Sequence, residues 1–249
     1  MRKFGLIGYP LGHSFSKQYF TDKFRREELN CVYDNYPIAD IALIKDIVNS
    51  NPELCGLNVT IPYKSEIFRF LDYVDSEAQE IGAVNVIKIK RVGGKILLNG
   101  YNSDVTGIYD SLKQYLGSDI KQALILGTGG SSKAVQYTLK KAGLDVKLVS
   151  RGKKTGTLTY KELTPDILTQ TRLIVNTTPL GMFPNVETLP EIDYQQLNYG
   201  HILFDLVYNP ETTAFLQKGI ERDCTIVSGI KMLHSQAERS WQIWNDGLL

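Results

Sequence analysis

Asn58, Thr60 and Lys64 lie close together in the stretch GLNVTIPYK, which runs from Gly56 to Lys64. Two neutral hydrogen-bonding side chains and one proton carrier at the end of an apolar, strand-like run suit a site that grips hydroxyl groups and moves a proton. Pro62 fixes the backbone between them. The same residues also suit a plain turn, since Asn and Thr cap helices and a lysine beside a turn is ordinarily solvated. Both readings stand at this point.

A second constellation is ALILGTGGSSKA, in which Gly127, Gly129 and Gly130 follow an apolar strand and open a helix. Glycine at 127 permits a tight turn. Glycines at 129 and 130 let backbone N–H groups approach a pyrophosphate at a helix N-terminus, where the macrodipole favours negative charge. The pattern is shorter than the full G-x-G-x-x-G, but its placement between strand and helix supports a dinucleotide site over a ligand-free turn. About 20 residues on, where an NAD site offers an acidic residue to the ribose, the chain reads LVSRGKKTG. Arg151, with Lys153 and Lys154 behind it, suits a 2′-phosphate, and no Asp or Glu in that stretch opposes one. NADP is the expected cofactor. Solvated loop lysines remain the alternative for Lys153 and Lys154.

The elements that must position these residues alternate along the chain. KFGLIG, CVYDNYPI and LCGLNVTI read as strands, and SKQYFTDKFRREEL, IALIKDIVNS and SEIFRFLDYV as helices, so βαβ units with a parallel sheet are expected. AVNVIKIKRVGGKILLNGYNSD adds two strand runs about Gly93-Gly94, an antiparallel hairpin joined to that sheet. After a helical stretch, VTGIYDSLKQYL, come the short apolar runs QALILG, DVKLVSR, RLIVNTT, ILFDLVY and TIVSG. These suit parallel strands covered on both faces, a doubly wound second unit. The expected architecture is α/β: an N-terminal mixed-sheet domain over 1–104, a Rossmann-type domain over 105–230, and a final helix, 231–249, returning to the first.

Composition narrows the function classes. The chain has 249 residues, 43% hydrophobic and 22% charged, with a net charge of +1. That is an ordinary globular balance with no electrostatic footprint for nucleic acid or an anionic membrane, so a small-molecule partner is expected. No segment approaches the roughly 20 apolar residues of a membrane span, and FGLIG is too short for a signal core, which makes cytoplasmic residence the expectation. Cys31, Cys55 and Cys224 are odd in number and widely spaced, as reduced thiols are. His13, His201 and His234 have no ligand spacing, and no metal is expected.

In chain order the sequence carries GYPLGHSFS, GLNVTIPYK, GAVNVI, GYNSD, GTGGSSKA, SRGKK, NTTPLGM, DLVYNP and SGIKMLHSQA. With these motifs almost the whole chain resembles the shikimate dehydrogenase family. The resemblance implies NADP-dependent, reversible reduction of 3-dehydroshikimate to shikimate on the route to chorismate and the aromatic amino acids, by a monomer or homodimer. It implies that Ser14 and Ser16 bind the substrate carboxylate, that Asn58, Thr60, Asn85 and Gln236 gather about the ring hydroxyls with Tyr208 nearby, and that Lys64 and Asp104 form the catalytic pair. An unperturbed lysine, with a pKa of about 10.4, is a poor base, so tuning, or positioning and charge, must supply its role. Along the cofactor it implies Gly127, Thr128, Gly129, Gly130 and Ser131, then Ser150, Arg151 and Lys154, then Asn176, Thr177 and Thr178, with Gly229 and Met232 near the nicotinamide.

Departures from the family pattern lie mainly on the cofactor side. Thr128, Ser131 and Lys133 stand where Ala, Ala and Arg are common, and Ser150-Arg151-Gly152 replaces Asn-Arg-Thr. Two rival functions remain: a relative that also oxidises quinate and prefers NAD, disfavoured by the missing acidic residue, and a non-catalytic ligand sensor. A sensor has no need of a proton-transfer pair.

Overall fold

The structure is a computed structural model that describes all residues except 12–14, 118 and 247–249. The chain divides into two compact units, one formed by Met1–Ser103 with Ala237–Leu249, the other by Asp104–Gln236.

The first unit runs β1 (Arg2–Gly8), α1 (Phe15–Arg26), β2 (Cys31–Pro37), α2 (Ile44–Ser50), β3 (Leu54–Val59), β4 (Tyr73–Val74), α3 (Ser76–Ile81), β5 (Val86–Val92) and β6 (Lys95–Tyr101). Its sheet has the order β2-β1-β3-β5-β6-β4 and is mixed: β1 pairs in parallel with β2 and β3, while β5 pairs antiparallel with β3 and β6. The hairpin turn falls at Gly93 and Gly94, with φ of 58° and 76°, the sign that such tight turns require.

Both faces of this sheet are buried, which is why β1 reads as a continuous apolar run. On one face Phe4 and Leu6 pack with Phe20, Phe24, Tyr33 and Trp244. Phe20 and Phe24 are four residues apart, on one stripe of α1. The ring centroids of Phe4 and Trp244 are 4.8 Å apart, as are those of Phe20 and Tyr33. On the other face Ile7, Leu57 and Ile87 pack with Ile41, Ile44, Val48 and Ile67. Trp244 donates its indole N–H to Ile87 O at 3.1 Å, and a Cβ at Gly56 would sit 2.3 Å from that nitrogen. Only glycine on β3 leaves room for the ring.

SEIFRFLDYV departs from the helical expectation. It forms a 3₁₀ turn over Glu66–Phe70 and then strand β4. The chain leaves the turn because β6 captures it: Asp72 N donates to Leu98 O at 2.9 Å, and Leu98 N donates back to the Asp72 carboxylate at 2.8 Å. Pairing with a sheet edge overrides a weak helical propensity.

The second unit runs α4 (Asp104–Leu112), β7 (Gln122–Leu126), α5 (Gly130–Lys141), β8 (Asp145–Ser150), β9 (Thr157–Thr159), α6 (Pro165–Gln170), β10 (Leu173–Asn176), β11 (Ile202–Asp205), α7 (Ala214–Ile220), β12 (Thr225–Val227) and α8 (Gly229–Asn245). The boundary between units falls within α8, between Gln236 and Ala237. All pairs in the sheet β12-β11-β10-β7-β8-β9 are parallel. Read from β9, the strands follow the order 3-2-1-4-5-6 of a doubly wound sheet, whose direction of winding reverses between β7 and β10. Ligands of such sheets bind outside the carboxyl ends of the strands at this point, and here Gly127 and Thr177 follow those ends.

Candidate functional site

In the first unit a buried polar network stands where β3 and β5 meet. Asn58 lies opposite Val86, and Val59 N donates to Asn85 O at 2.9 Å, so pairing of the strands sets the two asparagines side by side. The Asn58 amide donates to Ser240 Oγ at 3.0 Å and to Asn85 O at 3.3 Å, and its oxygen accepts from the Tyr33 hydroxyl at 2.8 Å. Asn85 Oδ1 accepts from Ser103 N at 2.7 Å, and its amide donates to Ser103 Oγ at 3.0 Å. Ser103 and Ser240 hydroxyls are 3.1 Å apart. Both serines are fully buried, so these bonds form without competition from water and hold the amides in fixed orientations. Burial pushes the Tyr33 phenol well above its usual pKa, against a hydrogen bond from Ser16. Tyr33 therefore stays a neutral donor to Asn58.

Beside this network Thr60 N donates to Ile7 O, and Tyr63 N donates to Thr60 O at 2.9 Å, which closes the turn around Pro62. Lys64 O accepts from Val84 N at 2.7 Å. The Lys64 backbone is thus pinned next to Asn85, with its side chain half-buried. Of the substrate residues expected from sequence, this unit contains Ser16, Asn58, Thr60 and Asn85, with Lys64; Ser14 lies outside the described residues. Asp104, Tyr208 and Gln236 belong to the other unit. Asp104 is 3% exposed and begins α4, where the helix dipole favours a carboxylate. Gln236 is half-buried and donates to Leu233 O at 3.0 Å, and Tyr208 is half-buried beyond β11.

In the second unit Gly127 has φ of 113°, and a Cβ there would sit 2.6 Å from Thr177 Oγ1. The cause is register: Leu126 pairs with Asn176, so the residues after them face each other. Thr177 donates its hydroxyl to Leu126 O at 2.7 Å and ties the two strand ends together. Gly129 caps α5 with no side-chain hydrogen bond, and a Cβ there would meet nothing within 4 Å. A helix start without a capping side chain and with space before it fits a pyrophosphate. The residues present therefore fit a dinucleotide.

Ser150 ends β8, and its hydroxyl is held by Gly152 O and by Thr157 Oγ1, the latter at 3.2 Å. Arg151 is exposed beside it. Lys154 reaches the glycine turn, donating to Thr128 Oγ1 at 2.9 Å. Lys153 instead pairs with Glu162 at 2.6 Å. Glu162 also accepts from Thr159 N, and the Lys153 ammonium with these bonds holds its carboxyl down at about 2. The acidic residue that LVSRGKKTG lacks is thus supplied from further along the chain, and it occupies Lys153. Gly229 starts α8 where a Cβ would lie 2.6 Å from Leu206 O, and Met232, 8% exposed, packs against Gly107 of α4.

Sequence reasoning missed Tyr33, Ser103 and Ser240, which fix the asparagines, and Asp205 with Thr213, which fix Asn176. Ser240 lies four residues past Gln236 on one helix, a same-face spacing that could have pointed to it. Asp205 closes a continuously apolar parallel strand, ILFD, and a carboxylate there is itself a signal.

Asp205 is fully buried and accepts from Asn176 Nδ2, Val207 N and Thr213 Oγ1. Those donors favour its charged form, but burial outweighs them and pushes the carboxyl up to about 6 from 3.8. At pH values between these two, the folded protein holds a proton that the unfolded chain has released. The resulting stabilisation is fully present below about pH 4 and is lost as pH rises through about 6, with a ceiling of about 3 kcal/mol. Because Glu162, held down at about 2, contributes the opposite slope, the Asp205 component is read as a difference: in urea unfolding across this window the parent's stability should fall with pH relative to that of Asp205→Asn. An unchanged slope in the variant would place the titration elsewhere.

A doubly wound sheet with a glycine turn at its switch point, preceded by a mixed-sheet unit holding a fixed polar cluster, defines a two-unit nucleotide-binding protein of the Rossmann class. Residues 6–87 match the family model described as the shikimate dehydrogenase substrate binding domain. The shikimate dehydrogenase (NADP(+)) of Methanococcus aeolicus is 34% identical, with 96% of this chain and 90% of that protein covered. That of Carboxydothermus hydrogenoformans is 35% identical over the same shares. The solved structure of the Thermus thermophilus shikimate 5-dehydrogenase in complex with NADP(H) and shikimate covers 100% of this chain and 95% of its own, with 28% identity and a TM-score of 0.85. The chain belongs to the shikimate dehydrogenase family.

Proposed function

We propose that this protein is an NADP-dependent shikimate dehydrogenase, which reversibly reduces 3-dehydroshikimate to shikimate in aromatic amino-acid biosynthesis. The observation that carries this reading is the 34% identity to the Methanococcus enzyme along 96% of the chain. Local chemistry agrees with it at Asn58 and Asn85, at the Gly127 turn and at Arg151.

Residues 1–104 with 231–249 are read as the substrate domain, and 105–230 as the NADP domain. Asn58, Thr60, Asn85 and Gln236 hold the ring hydroxyls, Ser14 and Ser16 the carboxylate, and Tyr208 lies alongside. Fixed amides suit this role because they are already oriented when the ligand arrives. Lys64 and Asp104 act on the C3 hydroxyl, taking its proton as the C3 hydrogen leaves as hydride and returning it in reverse. When bound, NADP supplies the hydride acceptor. Gly127, Thr128, Gly129, Gly130 and Ser131 face its pyrophosphate; Ser150, Arg151 and Lys154 its adenosine phosphate; Asn176, Thr177 and Thr178 its length; Gly229 and Met232 its nicotinamide end. No helix of the described residues is long and apolar enough to cross a membrane. Cytoplasmic residence, as a monomer or homodimer, completes the proposal.

Initial rates with shikimate and quinate, each with NADP and NAD, test the reading through the absorbance of the reduced nicotinamide. Turnover fastest with shikimate and NADP is expected. Faster turnover of quinate with NAD would install the rival enzyme, and none with any pair would leave the sensor.

A further inference from the structure

The two oxygens of Asp205 join three segments of the second unit. Oδ1 accepts from Asn176 Nδ2 and from Val207 N, both at 3.0 Å, and Oδ2 accepts from Thr213 Oγ1 at 2.6 Å. Asn176 in turn accepts at Oδ1 from Thr178 N at 3.0 Å and Thr178 Oγ1 at 2.7 Å. Parallel pairing of β10 with β11 places Asn176 directly opposite Asp205. Thr213 caps α7 through a bond from Leu216 N at 3.3 Å. Asp205 and Asn176 are both 0% exposed, so neither carboxylate oxygen is open to a ligand.

We infer that Asp205 is a positioning residue that locks the loop after β10 to the loop after β11, so that Asn176–Thr178 and the segment leading to Tyr208 are set as one piece. The functional consequence rests on the cofactor and substrate roles proposed above. A carboxylate suits the task because it alone offers two acceptor oxygens to three donors. An apolar residue would leave the Thr213 hydroxyl proton, the Val207 N–H and one N–H of the Asn176 amide, whose other acceptor is Leu180 O at 3.4 Å, without their acceptors in a dry core. An asparagine keeps Oδ1 for Asn176 and Val207, and its amide can donate to Thr213 Oγ1.

The test compares Asp205→Ala with Asp205→Asn, measuring melting temperature, NADP+ dissociation by titration, and the shikimate KM at saturating NADP+. With the lock broken, Asp205→Ala should weaken NADP+ by about tenfold or more and raise the shikimate KM, while Asp205→Asn stays within about threefold of the parent. A folded Asp205→Ala protein with a lower melting temperature but unchanged NADP+ affinity and KM would overturn the inference, because a purely structural role moves only the first quantity. Should the alanine variant not fold, hydrogen exchange of the unmodified protein decides. The Thr178 and Val207 amides should show equal protection and slow together when NADP+ is added. Protection differing by more than about tenfold, the mark of separate openings, would overturn the lock. If NADP+ does not bind the unmodified protein, the proposed function fails, while the exchange comparison still reads the coupling of the loops.

Discussion

Replacing Lys64 by alanine should lower kcat for shikimate oxidation by about 10² to 10⁴-fold, the usual contribution of a positioned general acid or base. The backbone at this position is held by Lys64 O accepting from Val84 N at 2.7 Å and by the turn from Thr60 to Tyr63. Neither bond involves the lysine side chain. The substitution therefore removes an ammonium and leaves those backbone bonds in place, and a melting curve of the variant accompanies its kinetics. Shikimate binding should fall much less than kcat, because Asn58 and Asn85 keep their orientations through Ser240, Ser103 and Tyr33. If Lys64 only bound substrate, KM would rise with kcat nearly unchanged. Steady-state kinetics at saturating NADP, with calorimetric titration of shikimate into the same variant, separates the two. A Lys64→Ala enzyme that keeps its kcat returns the residue to the role of a solvated turn lysine.

Arg151→Asp should weaken NADP by about tenfold or more while leaving NAD within a few-fold. Loss of a charge-assisted hydrogen bond is typically about 1.5 to 3 kcal/mol, and a carboxylate adds repulsion to the 2′-phosphate. The structure sharpens this by distinguishing the neighbouring cations. Lys153 is committed to Glu162 at 2.6 Å, whereas Lys154 reaches Thr128 on the glycine turn. Lys153→Ala is therefore the matched control, and it should change NADP affinity little. Titration of both variants with both cofactors checks the pair. Equal losses for NADP and NAD in Arg151→Asp would mean that the guanidinium does not read the phosphate.

The parts of the fold legible in the sequence were those governed by local rules. Gly93-Gly94 between two strand runs specified the hairpin, and short apolar runs separated by helices specified the doubly wound sheet, because burial on both faces leaves a local mark. The glycine turn was legible for the same reason: Gly127 adopts a positive φ that other residues avoid. SEIFRFLDYV was misread because its fate depends on Leu98, a residue of a distant strand whose backbone outcompetes a helical turn.

The site divided along the same line. Asn58, Thr60 and Lys64 share one short segment and could be read together, but the groups that orient the amides, Tyr33, Ser103 and Ser240, are brought in by tertiary packing. The sequence spacing of Asn58 and Ser240 holds no trace of their 3.0 Å bond. Charge was hardest to read locally. A stretch free of acidic residues suggested two available lysines, and Glu162, held by its own capping bonds to Thr159, takes one of them.

Hydride transfer between C3 of shikimate and NADP moves a hydrogen that an isotope can follow. Shikimate carrying deuterium at C3 is incubated with the protein and NADP, and the reduced cofactor is analysed by mass spectrometry. The expected product is NADPH heavier by one deuterium, formed together with 3-dehydroshikimate. Reduced cofactor without the label, or no reduced cofactor after prolonged incubation at high protein concentration, would contradict it.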